Sequence, residues 1–342
     1  MVRIGIVGYG YWGPIITSCF QNAGYKIGAI ADRHPERTCK ILETSPDTRL
    51  YTDPQEIIDD SEIDALVICL PTSMHYDICK KALLSGKHVL VEKPLTNSSE
   101  QSAELVAIAK EKGLVLMVDH QFAYKASVRE LKRLIDENKL GDLHYYDSSR
   151  TNLGLFRKDD DVIWDLAPHD LSILKYLLGK DPVSVSATAH AHLIAGKVDS
   201  AHISLFYGDG FNAHIYVSWV VPQKLRGVYV GGERGVALYD DSEPVNKLKL
   251  CEVLYDRKSE NEIICKKGEW TAMAEDSENT LAEVAKIFVE CIDTGVTPLS
   301  DGKFAHDIIK TIEAIQESVK KNGQEVSVGA SDAFGAIDDL AD

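Results

Sequence analysis

Three glycines in the run Gly8-Tyr9-Gly10-Tyr11-Trp12-Gly13 have the GxGxxG spacing that brings a backbone up against a pyrophosphate. The first glycine permits a tight turn, the second leaves room for phosphate oxygens, and the third lets a helix lie close to a strand. A strand-like run precedes them and Pro14 follows, so the unpaired N–H groups of a helix N-terminus would face the phosphates. Tyr11 and Trp12 fall inside this loop and are expected beside the cofactor. Asp32 closes the next apolar run, at the distance where a carboxylate holds the ribose hydroxyls of NAD and repels the 2′-phosphate of NADP. Arg33, next to it, could stack on adenine or pair with a phosphate, so NADP stays as the lesser option. The competing reading is a plain glycine turn with Asp32 as a helix cap.

Other residues could carry proton and charge chemistry. In Glu92-Lys93-Pro94 a lysine ends an apolar strand, where an ammonium can stabilise negative charge developing on a reacting oxygen. Taken alone, a solvated lysine is the simpler reading. In Trp164-Asp165-Leu166-Ala167-Pro168-His169, a proline suited only to a first helical turn predicts a helix beginning close to Asp165. Asp165 and His169 then stand one turn apart on one face. A neutral imidazole can take an alcohol proton near neutral pH, so His169 is the candidate base in oxidation and acid in reduction. Asp165 would orient it or the substrate. On these residues alone, Asp165 as an N-cap and His169 as a surface residue is an equal alternative. Arg150 and Asn152 alternate onto one face of a strand, two donors for hydroxyls, a carboxylate or a phosphate, or simply two exposed polar residues. His190 and His192 form an HxH with no evident carboxylate or cysteine partner, so no metal is expected; His202 and His214 lack ligand spacing.

The elements that must hold these groups fall into two sets. Over residues 1–121, short apolar runs at Arg3–Gly8, Lys26–Asp32, Ala65–Leu70, His88–Glu92 and Leu114–Val118 alternate with helix candidates at Pro14–Ala23, Pro35–Glu43, His75–Leu84 and Ser99–Lys112. That is the pattern of a parallel, doubly wound sheet. Residues 122–328 begin with an amphipathic helix near Lys125–Asn138, a strand near Leu143–Arg150 and a helix near Ala167–Leu178 closed by Gly179. Alternating runs at 183–194, 200–207, 211–221, 226–231, 234–239 and 247–255 then predict a large, mostly antiparallel open sheet. Helices near Ser277–Asp293 and Gly302–Lys321 follow, and the small, acidic tail from Gly329 to Asp342 is expected to be disordered. The fold class is thus α/β, an N-terminal Rossmann domain plus a C-terminal α/β domain.

Composition narrows the partners. A net charge of −16 argues against nucleic acid and against an anionic membrane surface. No apolar run approaches the roughly 18 residues of a membrane span. No charged-then-apolar signal segment precedes Val2. The seven cysteines are scattered and never spaced as CxxC, as in a reduced, cytoplasmic protein with buried thiols.

The stretch Cys69–Leu95, CLPTSMHYDICKKALLSGKHVLVEKPL, resembles the signature of the glucose–fructose oxidoreductase/inositol dehydrogenase (Gfo/Idh/MocA) family. With the glycine loop and the later Asp-x-x-x-His, the likeness covers nearly the whole chain. It implies an NAD-dependent dehydrogenase acting on a small-molecule sugar, with Lys93 of the EKP motif, Asp165 and His169 as catalytic residues facing the nicotinamide and the substrate. No metal is then needed, because Lys93 polarises the oxygen. The family also implies Leu70, Thr72, His75, Glu92 and Gln121 as cofactor neighbours, and a homo-oligomer, dimer or tetramer, joined through the outer face of the sheet. RTNLG at 150–154 followed by VIWDLAPHDLSIL is most similar to the branch that oxidises the 3-hydroxyl of nucleotide-activated amino sugars, with Arg150 and Asn152 at the substrate. An inositol or free-sugar dehydrogenase is the alternative; a non-catalytic NAD-binding sensor is a further one, disfavoured because Lys93, Asp165 and His169 are all present.

Overall fold

The computed structural model describes residues 2–153, 156, 160–259, 262–274 and 279–329. The chain divides into two compact units, Met1–Gln121 with Asn279–Ile309, and Phe122–Glu278 with Lys310–Asp342. The break after Gln121 coincides with the change of sequence pattern. The return of residues 279–309 to the first unit does not follow from that pattern.

In the first unit, six parallel strands run β1 (Ile4–Val7), β2 (Ile27–Ala31), β3 (Arg49–Tyr51), β4 (Ala65–Ile68), β5 (His88–Val91) and β6 (Leu116–Val118). Their order is β3-β2-β1-β4-β5-β6. Strand β3 and the helix α3 (Pro54–Asp59) were not expected, because three half-buried residues ending in Tyr51 carry no apolar run. The other helices are α1 (Trp12–Asn22), α2 (Pro35–Thr38), α4 (His75–Leu84) and α5 (Ser99–Lys112). Ser98 caps α5, and Gly113, at φ 63°, ends it. From the far end of the chain, α8 (Thr280–Thr294) lays Phe288 edge-on against Phe20 of α1, ring centroids 6.5 Å apart. Val118 N–H donates to the Ser300 carbonyl, and Met117 bridges Asp301, so the open edge of β6 is covered. That edge protection is why residues 279–309 belong here. Helix α9 (Gly302–Lys320) starts in this unit and ends in the other.

The second unit is a nine-stranded sheet with two long helices, α6 (Ala126–Asp136) and α7 (Val162–Leu178). Its strands are β7 (Leu143–Thr151), β8 (Ser184–His190), β9 (Ser200–Phe206), β10 (Asn212–Ser218), β11 (Arg226–Gly232), β12 (Gly235–Asp240), β13 (Leu248–Ser259), β14 (Glu262–Ala274) and β15 (Val326–Ser327). The order is β14-β13-β12-β11-β7-β10-β9-β8-β15, and β7 with β10 is the parallel pair. Alternation along β9 and β10 buries Ala201, Ile203, Leu205, Ala213, Ile215 and Val217 and leaves His202 and His214 outside. Strand β14 lay outside the expected runs because Lys266-Lys267-Gly268-Glu269 interrupts its apolar pattern, as suits an exposed edge. The tail 330–342, expected to be disordered, and Gly154 lie outside the described residues.

Helix α7 starts earlier than predicted. Asp161, not Asp165, is its N-cap, accepting from Ile163 and Trp164 N–H at 2.9 and 3.0 Å. Pro168 therefore sits inside the helix, where its missing N–H forgoes one ladder bond. Twelve of the helix's seventeen residues are buried, and that burial outweighs the local defect. Of the cysteines, all free, Cys39 and Cys265 are exposed rather than buried.

Candidate active site

The glycine loop is built as its spacing demands. Gly8 has φ +91°, and a Cβ there would lie 2.6 Å from the Cys69 carbonyl oxygen. A Cβ on Gly13 would lie 2.4 Å from the Gly8 carbonyl, whereas one on Gly10 would meet nothing within 4 Å. So Gly8 and Gly13 are required by the protein's own packing, and Gly10 faces open space. Tyr11, 79% exposed, is the N-cap of α1 and offers no side-chain cap, which leaves the first N–H groups of the helix unclaimed by a capping side chain. Trp12 sets its ring edge-on against Tyr11 at 5.3 Å.

Asp32 is buried, and each carboxylate oxygen takes one backbone N–H, from Tyr9 at 2.6 Å and from His34 at 2.8 Å. An ionised carboxylate can accept about four hydrogen bonds, so both oxygens retain capacity for ribose hydroxyls. Arg33 is exposed, and the closest cation to Asp32 is Arg37, at 3.9 Å. The open Gly10, the uncapped helix end and the half-satisfied carboxylate together fit a nicotinamide dinucleotide.

Parallel pairing of Ile68 with Val91 and of Val91 with Val118 lines up the residues that follow β4, β5 and β6 along one carboxyl edge. Leu70, Thr72, Glu92, Lys93 and Gln121 all lie on it, and Glu92, Lys93 and Gln121 are half-buried. His75, 1% exposed, has its ring nitrogens 2.8 Å from the carbonyls of Leu70 and Pro94. It clasps the loops after β4 and β5, which makes it a support for this edge. Burial lowers the His75 pKa despite those carbonyls.

Two residues on this edge escaped the sequence reading. Asp119 and His120 follow β6 and are almost wholly buried. Burial pushes the Asp119 carboxyl up to about 7, against the pull of the Lys93 ammonium. Burial also pushes His120 down to about 3, and Lys93 adds to that shift. The signal available was two polar residues interrupting an apolar strand end.

Within the second unit, α7 carries both Asp165 and His169. Asp165 is buried, and its Oδ2 accepts the indole N–H of Trp219 at 3.1 Å. Trp219 is itself fully buried just past β10. His169, half-buried, sets its ring edge-on against Phe122 at 4.8 Å. Asp165 is thus neither the N-cap nor an exposed polar residue, and His169 is part of a packed aromatic contact. Neither Trp219 nor Phe122 was legible as a site residue, because an apolar aromatic in an apolar run reads as core.

Arg150 is buried, so it is not an exposed polar residue of the strand face. Its guanidinium is 2% exposed, donates to Asp170 at 2.7 and 3.3 Å, and lies 4.4 Å from the centre of the Phe122 ring. Such a buried, doubly bonded pair holds β7 to α7 and engages two of the five guanidinium N–H donors. Asn152, just beyond β7 and half-buried, keeps its place as a candidate. His192 does have a carboxylate partner, Asp199, 2.7 Å from its Nδ1, contrary to expectation. No group of three or more metal-ligating side chains is found among the described residues. No described helix is long and apolar enough to cross a membrane.

Residues 2–120 match the model described as oxidoreductase family, NAD-binding Rossmann fold, and residues 128–238 match the GFO/IDH/MocA C-terminal domain. The protein is therefore an oxidoreductase with an NAD-binding Rossmann fold. It belongs to the Gfo/Idh/MocA family. Among its relatives is a scyllo-inositol 2-dehydrogenase (NAD(+)) of Bacillus subtilis (strain 168), 28% identical over 69% of this chain and 72% of that one. An NADP(+) enzyme of the same organism and substrate name is also 28% identical, over 65% and 64%. A UDP-N-acetylglucosamine 3-dehydrogenase of Acidithiobacillus ferrooxidans is 29% identical over 66% and 69%. The solved structure of a UDP-N-acetylglucosamine 3-dehydrogenase from Acidithiobacillus ferrooxidans matches with a TM-score of 0.77 at 24% identity, covering 94% of this chain and 99% of that one.

Proposed function

We propose that this dehydrogenase oxidises a secondary hydroxyl of a sugar, at C3 of a nucleotide-activated amino sugar, with NAD rather than NADP. The reading rests chiefly on Asp165 held by Trp219 with His169 one helical turn away. A carboxylate fixed by a buried indole keeps one orientation, and the imidazole beyond it takes the hydroxyl proton at a ring nitrogen. Lys93, at the carboxyl edge of the first unit's sheet, is assigned to steadying negative charge on a reacting oxygen. Bound NAD would supply the hydride acceptor, held by Asp32, the Gly8–Gly13 loop and the start of α1. The two backbone bonds to Asp32 and the exposure of Arg33 favour an unphosphorylated ribose. Asn152 is assigned to the substrate. The outer face of the nine-stranded sheet, with Tyr229, Tyr255 and Trp270 exposed, suits contact with a second copy in a dimer or tetramer. A cytoplasmic location accords with the free cysteines.

The names of the inositol dehydrogenases among the relatives favour a second reading, a free polyol as substrate. Absorbance of NADH on mixing protein and NAD with polyols, free sugars and UDP-sugars separates the two. Lys93→Ala and His169→Ala should each lower the rate on the order of 10²-fold or more. Undiminished turnover in both would sink the mechanism.

A further inference from the structure

Just past β12, Asp241 gathers three cations. Lys125 Nζ lies 2.5 Å from Oδ1, Lys247 Nζ 3.1 Å from the same oxygen, and an Arg226 guanidinium nitrogen 3.0 Å from Oδ2. The Tyr239 hydroxyl adds a bond at 3.3 Å. Asp241 is 4% exposed, Lys125 14%, Lys247 15% and Arg226 32%. Among the described residues, none of the three cations has a second carboxylate within ion-pair distance, since Glu243 pairs with Lys249 and Asp240 accepts from Ser242 N–H. One negative charge against three positive ones leaves an excess of two in a partly desolvated cluster. Such an excess is costly for a fold and is satisfied by an anion brought from outside.

The cluster's position gives that anion a role. Lys125 Nζ also sits 5.2 Å from the centre of the Phe122 ring, the ring that meets His169 at 4.8 Å. Phe122 thus touches both the cation cluster and the imidazole, which puts the Lys125 ammonium and the His169 ring at most about 10 Å apart. In a nucleotide sugar the pyrophosphate sits on C1 and the reacting hydroxyl on C3, two ring carbons away, so one bound molecule can reach both groups. A pyrophosphate diester carries two negative charges at neutral pH, equal to the excess; a carboxylate carries one. We propose that Lys125, Arg226 and Lys247 around Asp241 form the subsite for the pyrophosphate of a nucleotide-sugar substrate. The assignment rests on the reading of His169 as the residue that meets the sugar hydroxyl. The lowered pKa of Asp241, which the neighbouring lysines hold at about 2 although burial opposes it, keeps the centre of the cluster ionised throughout the working range.

The test uses the whole protein with UDP as probe, read by calorimetry and by the ligand-induced rise in melting temperature. Arg226→Gln and Lys247→Met each leave Asp241 two cations, so both should fold, and melting without ligand verifies it. Each should weaken UDP roughly tenfold or more and raise KM for a UDP-sugar similarly, while Lys247→Arg restores binding. UDP binding unchanged in both variants overturns the subsite. Inorganic phosphate or a sugar 1-phosphate bound as tightly as UDP also overturns it, because the cluster would then take a monophosphate. The failure of the catalytic reading looks different. UDP would bind through Arg226 and Lys247 while Lys93→Ala and His169→Ala changed no rate.

Discussion

The indole nitrogen of Trp219, just past β10, donates to Asp165 Oδ2 on α7 across 3.1 Å, with both side chains buried. Fifty-four residues separate the two along the chain. Replacing Trp219 by Phe keeps a large apolar side chain but removes this hydrogen bond from the carboxylate. The expected loss is about 1–3 kcal/mol in stability, together with a fall in kcat greater than any rise in KM for NAD. Thermal melting and steady-state kinetics on one preparation check both.

Arg150 should behave as a structural residue. Arg150→Met leaves Asp170 buried without its ion pair, at a cost of about 3–5 kcal/mol, and truncation also removes the stacking on Phe122. Denaturant unfolding should register that loss, and Asp170→Asn should reproduce most of it. A variant of native stability with only a raised KM would restore Arg150 to the substrate.

Asp32→Ala removes acceptors for two backbone N–H groups and for the ribose. NAD affinity should fall at least tenfold, and the ratio of NADP to NAD efficiency should rise as the repulsion of a 2′-phosphate disappears. Fluorescence titration with the two reduced cofactors reads both changes.

Asp119 predicts a pH effect with a definite sign. Its folded pKa, about 7, lies above the ordinary 3.8, so the stability it contributes is complete below 3.8 and is lost as pH rises through 7. Asp119→Asn lacks that loss. Its melting temperature relative to wild type should climb between pH 4 and pH 8, by an equivalent of on the order of 4 kcal/mol at most. His120 acts oppositely: its pKa lies at about 3, so its contribution is present above 6.5 and fades as pH falls through 3. A flat difference between variant and wild type across pH 4–8 would show that Asp119 is ionised throughout.

Local chemistry in the sequence was enough for the dinucleotide half. The GxGxxG spacing, Asp32 and the apolar runs each act over a few residues, so reading order and spatial order agree. The same holds for α4 and α5, whose predicted limits coincide with the observed ones. The placing of Asp165 and His169 one turn apart on a helix was legible for the same reason, since one helical turn is a sequence interval.

Tertiary structure alone decided the rest, wherever partners meet across long separations. Arg150 looks like a free donor until Asp170 arrives on α7 and buries it. Pro168 marks a helix start in isolation, yet the burial of α7 carries the helix back to Val162. The 279–309 segment covers β6, and the three cations meet at Asp241, through contacts that no spacing encodes. Burial and pairing belong to the folded chain, and they settle which polar side chains stay available for chemistry.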